Sequence, residues 1–190
     1  MSEINRETKE TKISIKLSIY GSGKSSIDSG VGFLDHMLES LAKHAHWDLE
    51  VKCEGDTHID DHHSVEDIGI VLGEAFKKEV YPISKIERFS DSIVVMDEAA
   101  VRSALDICNR AYLYFDLPID GKVGQFDVEL VEEFFRAFVN SASITLHTEM
   151  IRGKNKHHII EAAFKSLAVA LRRALSKNER VQIPSTKGVL

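Results

Sequence analysis

The sequence has little cysteine and no excess of positive charge, and each shortage excludes a class of protein. Two cysteines in 190 residues, Cys53 and Cys108, are too few for a disulfide framework and form no CxxC pair. Thirty acidic residues against 24 basic ones give a formal net charge of −6, whereas nucleic-acid binders normally present a basic surface. We therefore expect a reducing compartment and no nucleic-acid partner.

Long apolar runs are also missing. No stretch approaches the roughly 18 residues that a membrane span needs, and the N-terminal MSEINRETKETK lacks the apolar segment of a secretory signal. The hydrophobic fraction of 43% and the charged fraction of 28% are ordinary for a globular protein. These features predict a soluble, cytoplasmic protein with no membrane partner.

Hydrophobic periodicity predicts alternating strands and helices. In the first part of the chain we expect strands at 12–20 and 47–53 and helices at 33–45 and 62–80. In the second part we expect strands at 92–97, 101–107, 111–117 and 144–150, with helices at 128–141 and 157–176.

Two short motifs occur twice. HHSVE from His62 returns as HHIIE from His157, and VGFLD from Val31 returns as VGQFD from Val123. We interpret this as an internal duplication, although chance similarity between two α/β units is the alternative. The predicted fold is α+β, with two β/α half-domains at residues 1–90 and 91–190. Each half would be a mixed sheet with helices packed on one face, and together they would form one compact domain.

The repeated HHxxE motif points to metal ions. Its first histidine and its glutamate are i,i+4 and share one helix face, whereas its second histidine lies about 100° around the helix and would serve another ion. The pairs are His62 with Glu66 and His157 with Glu161, and the second histidines are His63 and His158. Imidazole with carboxylate suits Mn²⁺, Fe²⁺ or Zn²⁺. The alternative is that the histidines only cap helix N-termini.

Further ligands follow from the same duplication. Aligning the preceding helices on their apolar residues matches His36 with Glu133, one candidate for each ion. His147 on the following strand is a competing candidate, or a group outside the metal shell.

Cationic groups outside the helices suggest an anionic substrate. The terminal IPSTKG offers a hydroxyl from Ser185 and an ammonium from Lys187, and Arg88 and Arg110 add guanidinium groups. Such groups suit a phosphate. Taken singly, each is more typical of a solvated surface.

The combined motifs resemble the imidazoleglycerol-phosphate dehydratase family of histidine biosynthesis. They are FLDHMLESLAKH, DTHIDDHHSVEDIGIVLGEA, the LD-x-x-x-R from Leu105 to Arg110, GKNKHHIIEAAFKSLAVALR and PSTKG. The resemblance implies a hydro-lyase that converts imidazole glycerol phosphate to imidazole acetol phosphate and water through a metal-stabilised imidazolate. It also implies two Mn²⁺ per subunit and a homo-oligomer of 24 subunits with active sites at subunit interfaces.

The resemblance assigns roles residue by residue. One ion would be held by His36, His63, His157 and Glu161, and the other by His62, Glu66, His158 and residue 133. Family members usually have histidine at that last position, whereas this chain has Glu133. The substrate would contact Glu10, His36, His44, His62, Glu66, Arg88, Arg110, His157, Lys165, Ser185 and Lys187. Glu10 is the first candidate for proton transfer, followed by Asp97 and His44.

Two other functions fit part of the pattern. A two-metal hydrolase of a small phosphorylated substrate would need carboxylates that bridge its ions. A metal-dependent assembly protein would use the histidines to join subunits without chemistry.

Overall fold

Two four-stranded mixed sheets and four long helices make up the structure, a computed structural model that describes residues 1–188. The first half contains β1 (Ser2–Glu7), β2 (Thr11–Ser18), β3 (Ser25–Asp28), α1 (Gly32–Ala45), β4 (Asp48–Gly55) and α2 (His62–Val80). The second half contains β5 (Phe89–Met96), β6 (Ala99–Asp106), β7 (Tyr112–Asp116), β8 (Lys122–Val123), β9 (Phe126–Asp127), α3 (Leu130–Ala142), β10 (Thr145–Arg152) and α4 (Lys156–Ala174).

The two sheets have the same topology. Their strand orders are β1-β2-β4-β3 and β5-β6-β10-β7, and in each only the last pair is parallel. The helices cover one face of each sheet. The predicted α+β fold of duplicated half-domains is therefore confirmed, while the boundary at residue 90 stays a prediction.

One of the two sequence anchors for the repeat was wrong. VGFLD leads into α1, but VGQFD lies in the β8–β9 hairpin, which has no counterpart in the first half. Helices α1 and α3 instead align with each other at their C-terminal ends. Both α1 and α3 end at a residue in the left-handed conformation, His46 and Ser143 respectively. That register aligns His36 with Glu133, as the apolar pattern predicted.

Four short strands lack a sequence signal strong enough to predict. Strand β1 has one apolar side chain at an alternating position, Ile4, and β3 reads SSID. Strands β8 and β9 have two residues each. Their pairing partners, rather than their own composition, make these segments strands.

The helices of one half pack on helices of the other. Helix α2 packs along α3, and α1 packs along α4, so all four lie between the two sheets and share one hydrophobic core. Gly69 and Gly73 of α2 allow the close approach to α3. A Cβ at Gly73 would lie 2.6 Å from the Phe138 backbone oxygen. No helix in residues 1–188 is long and apolar enough to cross a membrane.

We expect Gly73→Ala to lower the stability of the protein. Alanine adds about 1 kcal/mol of helix propensity, but forcing α2 and α3 apart costs about 1–3 kcal/mol. The measurement is thermal unfolding followed by circular dichroism at matched protein concentration. Gly32→Ala is the control, because nothing lies within 4 Å of a Cβ built there. A melting temperature for Gly73→Ala at or above that of the native protein would contradict the packing described.

Candidate active site

A three-residue cluster joins α1 to the first turns of α4. His36 Nε2 lies 3.3 Å from Glu161 Oε2, and His157 Nε2 lies 3.1 Å from the same oxygen. The candidate ligand atoms of all three residues lie within 4.8 Å of one another, the only such group among residues 1–188. Two imidazole nitrogens and a carboxylate oxygen suit Mn²⁺, Fe²⁺ or Zn²⁺. The cluster can therefore hold a divalent ion.

Glu161 is held ionised although it is buried. Its second oxygen, Oε1, lies 2.6 Å from Lys165 Nζ one helical turn further along α4. Burial alone raises the pKa of Glu161, but hydrogen bonding and charge from Lys165 and His36 outweigh it and lower the pKa below its ordinary value. The carboxylate thus has one oxygen paired with an ammonium and the other directed at two imidazoles.

The α2–α3 pair carries the equivalent residues of the repeat. His62 Nε2 lies 3.9 Å from Glu66 Oε2 on one face of α2, and both side chains are about half exposed. Glu133 occupies the position on α3 that His36 has on α1. The candidate ligand atoms of His62, Glu66 and Glu133 do not all lie within 4.8 Å of one another, unlike those of the first cluster. The other two ligands that the resemblance assigns, His63 and His158, lie outside both groups.

His63 faces acidic side chains instead. Its Nδ1 lies 3.0 Å from Asp56 Oδ2, and its Nε2 lies 3.9 Å from Glu10 Oε1 in the β1–β2 turn. The hydrogen bond to Asp56 raises the pKa of His63. Glu10 therefore lies beside a predicted metal ligand, as its assignment to the substrate region requires.

His158 has matching surroundings in the second half. Its Nδ1 lies 2.7 Å from Glu98 Oε2, and its Nε2 lies 3.9 Å from Asp97 Oδ2 in the β5–β6 turn. The hydrogen bond to Glu98 raises the pKa of His158. The same bond, with backbone N–H groups of Asn155 and Lys154, lowers the pKa of Glu98 to about 2.

The hydrogen bonds at the start of the two helices come from other residues and not from the imidazole rings of the motifs. Asp60 Oδ1 accepts a hydrogen bond from the His62 backbone N–H. At α4, Asn155 Oδ1 accepts from the backbone N–H groups of His157 and His158. The imidazole rings remain available for other contacts.

The predicted phosphate-binding residues divide into two places. Arg88 pairs with both carboxylate oxygens of Asp106, at 2.7 and 3.1 Å, and donates to the Pro184 carbonyl at 2.6 Å. Arg110 Nη2 lies 3.8 Å from Asp106. The adjacent Ser185 accepts a hydrogen bond from the Lys187 backbone N–H.

Lys165 lies elsewhere, at the α1–α4 cluster. Its charge also reaches His44, eight residues after His36 on α1. Burial, followed by the charges of Lys165 and Arg172, lowers the pKa of His44. The neutral form of the His44 ring is therefore favoured.

His147 lies on the outer face of the second sheet, away from the helices. Its ring packs against Tyr112 and Tyr114, with ring centroids 5.8 and 5.5 Å away. It takes no part in the cluster of this chain, so its candidacy as a ligand finds no support. An open concavity of about 610 Å³ lies on the same face.

A smaller cavity adjoins the metal-ligand cluster. It has a volume of about 510 Å³ and lies between the start of α1 and the β8–β9 hairpin, with His36 in its wall. Phe33 packs edge-on against the His157 ring, with the ring centroids 5.2 Å apart. Phe33 also packs against Phe126 of the hairpin. This cavity gives solvent-sized molecules room beside the candidate ligands.

Three site residues escaped the sequence reasoning: Asp56, Glu98 and Asp106. Two of these carboxylates stand inside motifs quoted above, and the third is next to a candidate residue. DTHIDDHH begins at Asp56, Glu98 follows Asp97, and Asp106 stands in the LD-x-x-x-R segment. A search for acidic partners of the basic site residues could have found them.

Comparison with known proteins identifies a family for this chain. The family model for imidazoleglycerol-phosphate dehydratase matches residues 29–171. The chain is 65% identical over 190 residues to the imidazoleglycerol-phosphate dehydratase of Sulfurovum sp. (strain NBC37-1), covering 100% of both. It is 64% identical over 186 residues to that of Sulfurimonas denitrificans, covering 98% of both.

Solved structures of the same family have a similar fold. That of imidazoleglycerol-phosphate dehydratase from Staphylococcus aureus subsp. aureus N315 has 40% identity and a TM-score of 0.83, covering 94% of this chain and 100% of that one. The enzyme from Pyrococcus furiosus, in complex with (S)-C348, has 38% identity and a TM-score of 0.86, covering 98% and 100%. The chain thus belongs to the imidazoleglycerol-phosphate dehydratase family of histidine biosynthesis and is a hydro-lyase.

Proposed function

We propose that this protein removes water from D-erythro-imidazole glycerol phosphate to form imidazole acetol phosphate, in the pathway to L-histidine, using two Mn²⁺ per subunit. The observation that carries this proposal is the convergence of His36, His157 and Glu161 across the α1–α4 contact. The family relationship supplies the substrate. Both cysteines are buried free thiols, which supports a reducing cytoplasm as the location.

The donor set fits the proposed metal. By the resemblance, one ion would be held by His36, His63, His157 and Glu161 and the other by His62, Glu66, Glu133 and His158, with ligands of one site contributed by neighbouring subunits. A divalent ion bound to the substrate imidazole would make its N–H proton more acidic by stabilising the imidazolate. The protein would keep Glu161 ionised for this purpose through Lys165.

Proton transfer would fall first to Glu10. Its carboxylate stands at an exposed turn, 3.9 Å from His63, where it can reach a bound molecule. Asp97 has the same distance to His158 in the other half, and neutral His44 is a third candidate. The reaction needs a group that removes a C–H proton and a group that protonates the departing hydroxyl.

The phosphate would be bound by the basic groups at the edge of the second sheet. Arg88 is oriented by two hydrogen bonds to Asp106, and Arg110 lies 3.8 Å from the same carboxylate. Arg88 also donates to the carbonyl of Pro184, which Ser185 and Lys187 follow in the chain. An arginine held in this way presents fixed N–H donors to an anion. Lys165 would join them only if a neighbouring subunit brings the two groups together.

A homo-oligomer, for which the resemblance implies 24 subunits, would complete these sites. Each candidate metal group has three residues from one chain, while His63 and His158 project elsewhere. The outer face of the second sheet also exposes large apolar side chains: Phe89, Ile93, Val95, Tyr112, Tyr114 and Ile151. Equivalent positions on the first sheet are polar, with Asn5 in place of Ile93 and Glu7 in place of Val95. Such a patch favours burial against another copy.

The hydrolase alternative is less well supported. A two-metal hydrolase needs a carboxylate that binds both ions, which sit about 3.5–4 Å apart. Glu161 has one oxygen toward the imidazoles and the other paired with Lys165. It is therefore poorly placed to bridge two ions.

Metal removal should abolish turnover, and Mn²⁺ should restore it. Ketone formation from imidazole glycerol phosphate is followed by absorbance before and after the addition of Mn²⁺ to chelator-treated protein. Glu161→Gln should bind one Mn²⁺ fewer per chain and lose at least about 100-fold in turnover, since it removes the charged ligand. Glu132→Gln, at an exposed residue paired with Arg136, is the control. Two bound Mn²⁺ without turnover in the native protein would refute the dehydratase.

Glu10→Gln should keep its metal ions but lose about 10²–10⁴-fold in turnover, the usual contribution of a general acid or base. Glu7→Gln makes the same charge change in the same hairpin, at an exposed residue 3.6 Å from Lys12, and should stay active. Metal content is read by mass spectrometry and turnover by absorbance. Full activity with full metal content in Glu10→Gln would rule out the assigned role.

Ile93→Lys should reduce the size of the particle, because it places a charge in the exposed apolar face of the second sheet. Asn5→Lys introduces the same charge at the equivalent position of the first sheet and should leave the size unchanged. Light scattering coupled to gel filtration measures both. A full-sized particle with Ile93→Lys would show that this face is not a subunit contact.

A further inference from the structure

We propose that Asp56 and Glu98 are positioning residues that hold the second histidine of each HHxxE motif in one tautomer, with the proton on Nδ1 and the lone pair that would bind a metal on Nε2. The inference rests on the proposed function for the metal and for the role of His63 and His158 as its ligands. The contacts that carry it are the hydrogen bonds of Asp56 and Glu98 to the two rings.

In the first half, Asp56 contacts both the His63 ring and the turn that carries Glu10. Its carboxylate oxygens lie 3.0 and 3.2 Å from His63 Nδ1. Its backbone N–H donates to the Glu10 carbonyl at 3.1 Å. The side chain is largely buried, with 14% of its surface exposed. Asp56 therefore holds the His63 ring and the Glu10 turn at the same time.

In the second half, Glu98 has a comparable set of bonds. Its Oε2 lies 2.7 Å from His158 Nδ1, and its Oε1 accepts from the backbone N–H groups of Lys154 and Asn155 at 3.1 and 2.7 Å. Because both oxygens are engaged, the carboxylate has one orientation. The ring that it contacts is then fixed as well.

The two carboxylates come from different places in the repeat, yet contact the same ring nitrogen. Strand register aligns Glu98 with Glu10, since both precede the second strand of their hairpin. In the first half the histidine is held by Asp56, from the loop after β4. Because Asp56 rather than Glu10 contacts His63 Nδ1, the Glu10 carboxylate does not bond to that nitrogen. The same contact built from non-equivalent residues indicates a functional requirement on the imidazole.

The requirement is chemical. A neutral imidazole has one N–H donor and one nitrogen with a lone pair. A carboxylate that accepts a hydrogen bond from Nδ1–H keeps the proton on that nitrogen, and so leaves the lone pair on Nε2 and makes Nε2 a better ligand. In both halves Nε2 points toward the turn that carries Glu10 or Asp97. That is where substrate and metal would meet.

The test uses Asp56→Asn and Glu98→Gln. The glutamine oxygen should stay with the two backbone N–H groups, so its NH₂ group would face His158 Nδ1 and donate to it. That contact favours the tautomer with the proton on Nε2. We expect Mn²⁺ affinity, measured by titration calorimetry, to fall about 10–100-fold at one of the two ions in each variant. Glu54→Gln, exposed on β4 and paired with Lys52, is the control.

A second readout does not depend on metal or activity. Solid-state nitrogen NMR of histidine-labelled, metal-free particles at a pH where the imidazoles are neutral reports which ring nitrogen carries the proton. Native His63 and His158 should be protonated on Nδ1, and the signal of His158 should change to Nε2 in Glu98→Gln. Circular dichroism and light scattering check that the variants fold and assemble.

Native-like Mn²⁺ affinity in both variants, or protons on Nε2 in the native protein, would overturn the inference. Failure of the proposed function would look different. The native protein would then fail to bind Mn²⁺ or to turn over substrate, while the NMR tautomers would still test the roles of Asp56 and Glu98.

Discussion

The packing of each half's helices against those of the other half is the constraint on which the candidate site depends. His36 comes from the first half of the chain, and His157 and Glu161 come from the second. They meet because α1 lies along α4, just as α2 lies along α3. The hydrophobic core that joins the halves therefore also sets the distances between metal-binding groups. Neither half alone could form the cluster.

Carboxylates control the imidazoles throughout the site. Glu161 joins two rings and a lysine, and Asp56 and Glu98 each hold one ring by Nδ1. Four imidazole rings of the site therefore lie within hydrogen-bond distance of a carboxylate: those of His36, His63, His157 and His158.

The duplication is symmetric in backbone and asymmetric in chemistry. Both sheets share one strand order, but the outer face of the first is charged and that of the second is apolar and aromatic. Glu10 is left exposed in one hairpin, whereas its counterpart Glu98 is tied to backbone and imidazole. Divergence after duplication has thus left an exposed carboxylate beside a histidine in the first half and an exposed apolar face on the second sheet.

Much of this could be predicted from residue order alone. Periodicity gave the four helices and the longer strands, since a helix or strand with one buried face shows its period in the sequence. The repeated HHxxE motif indicated a duplicated metal-binding protein, because i,i+4 residues share a helix face whatever the tertiary structure. Strands β1 and β3 and the β8–β9 hairpin could not be predicted, because their partners stabilise them. Only the tertiary structure decided that His36 joins His157, that His147 faces outward, and that Asp56 and Glu98 hold the second histidines. Those contacts join residues that are far apart in the chain, or depend on the direction a side chain takes from its backbone, and packing alone determines both.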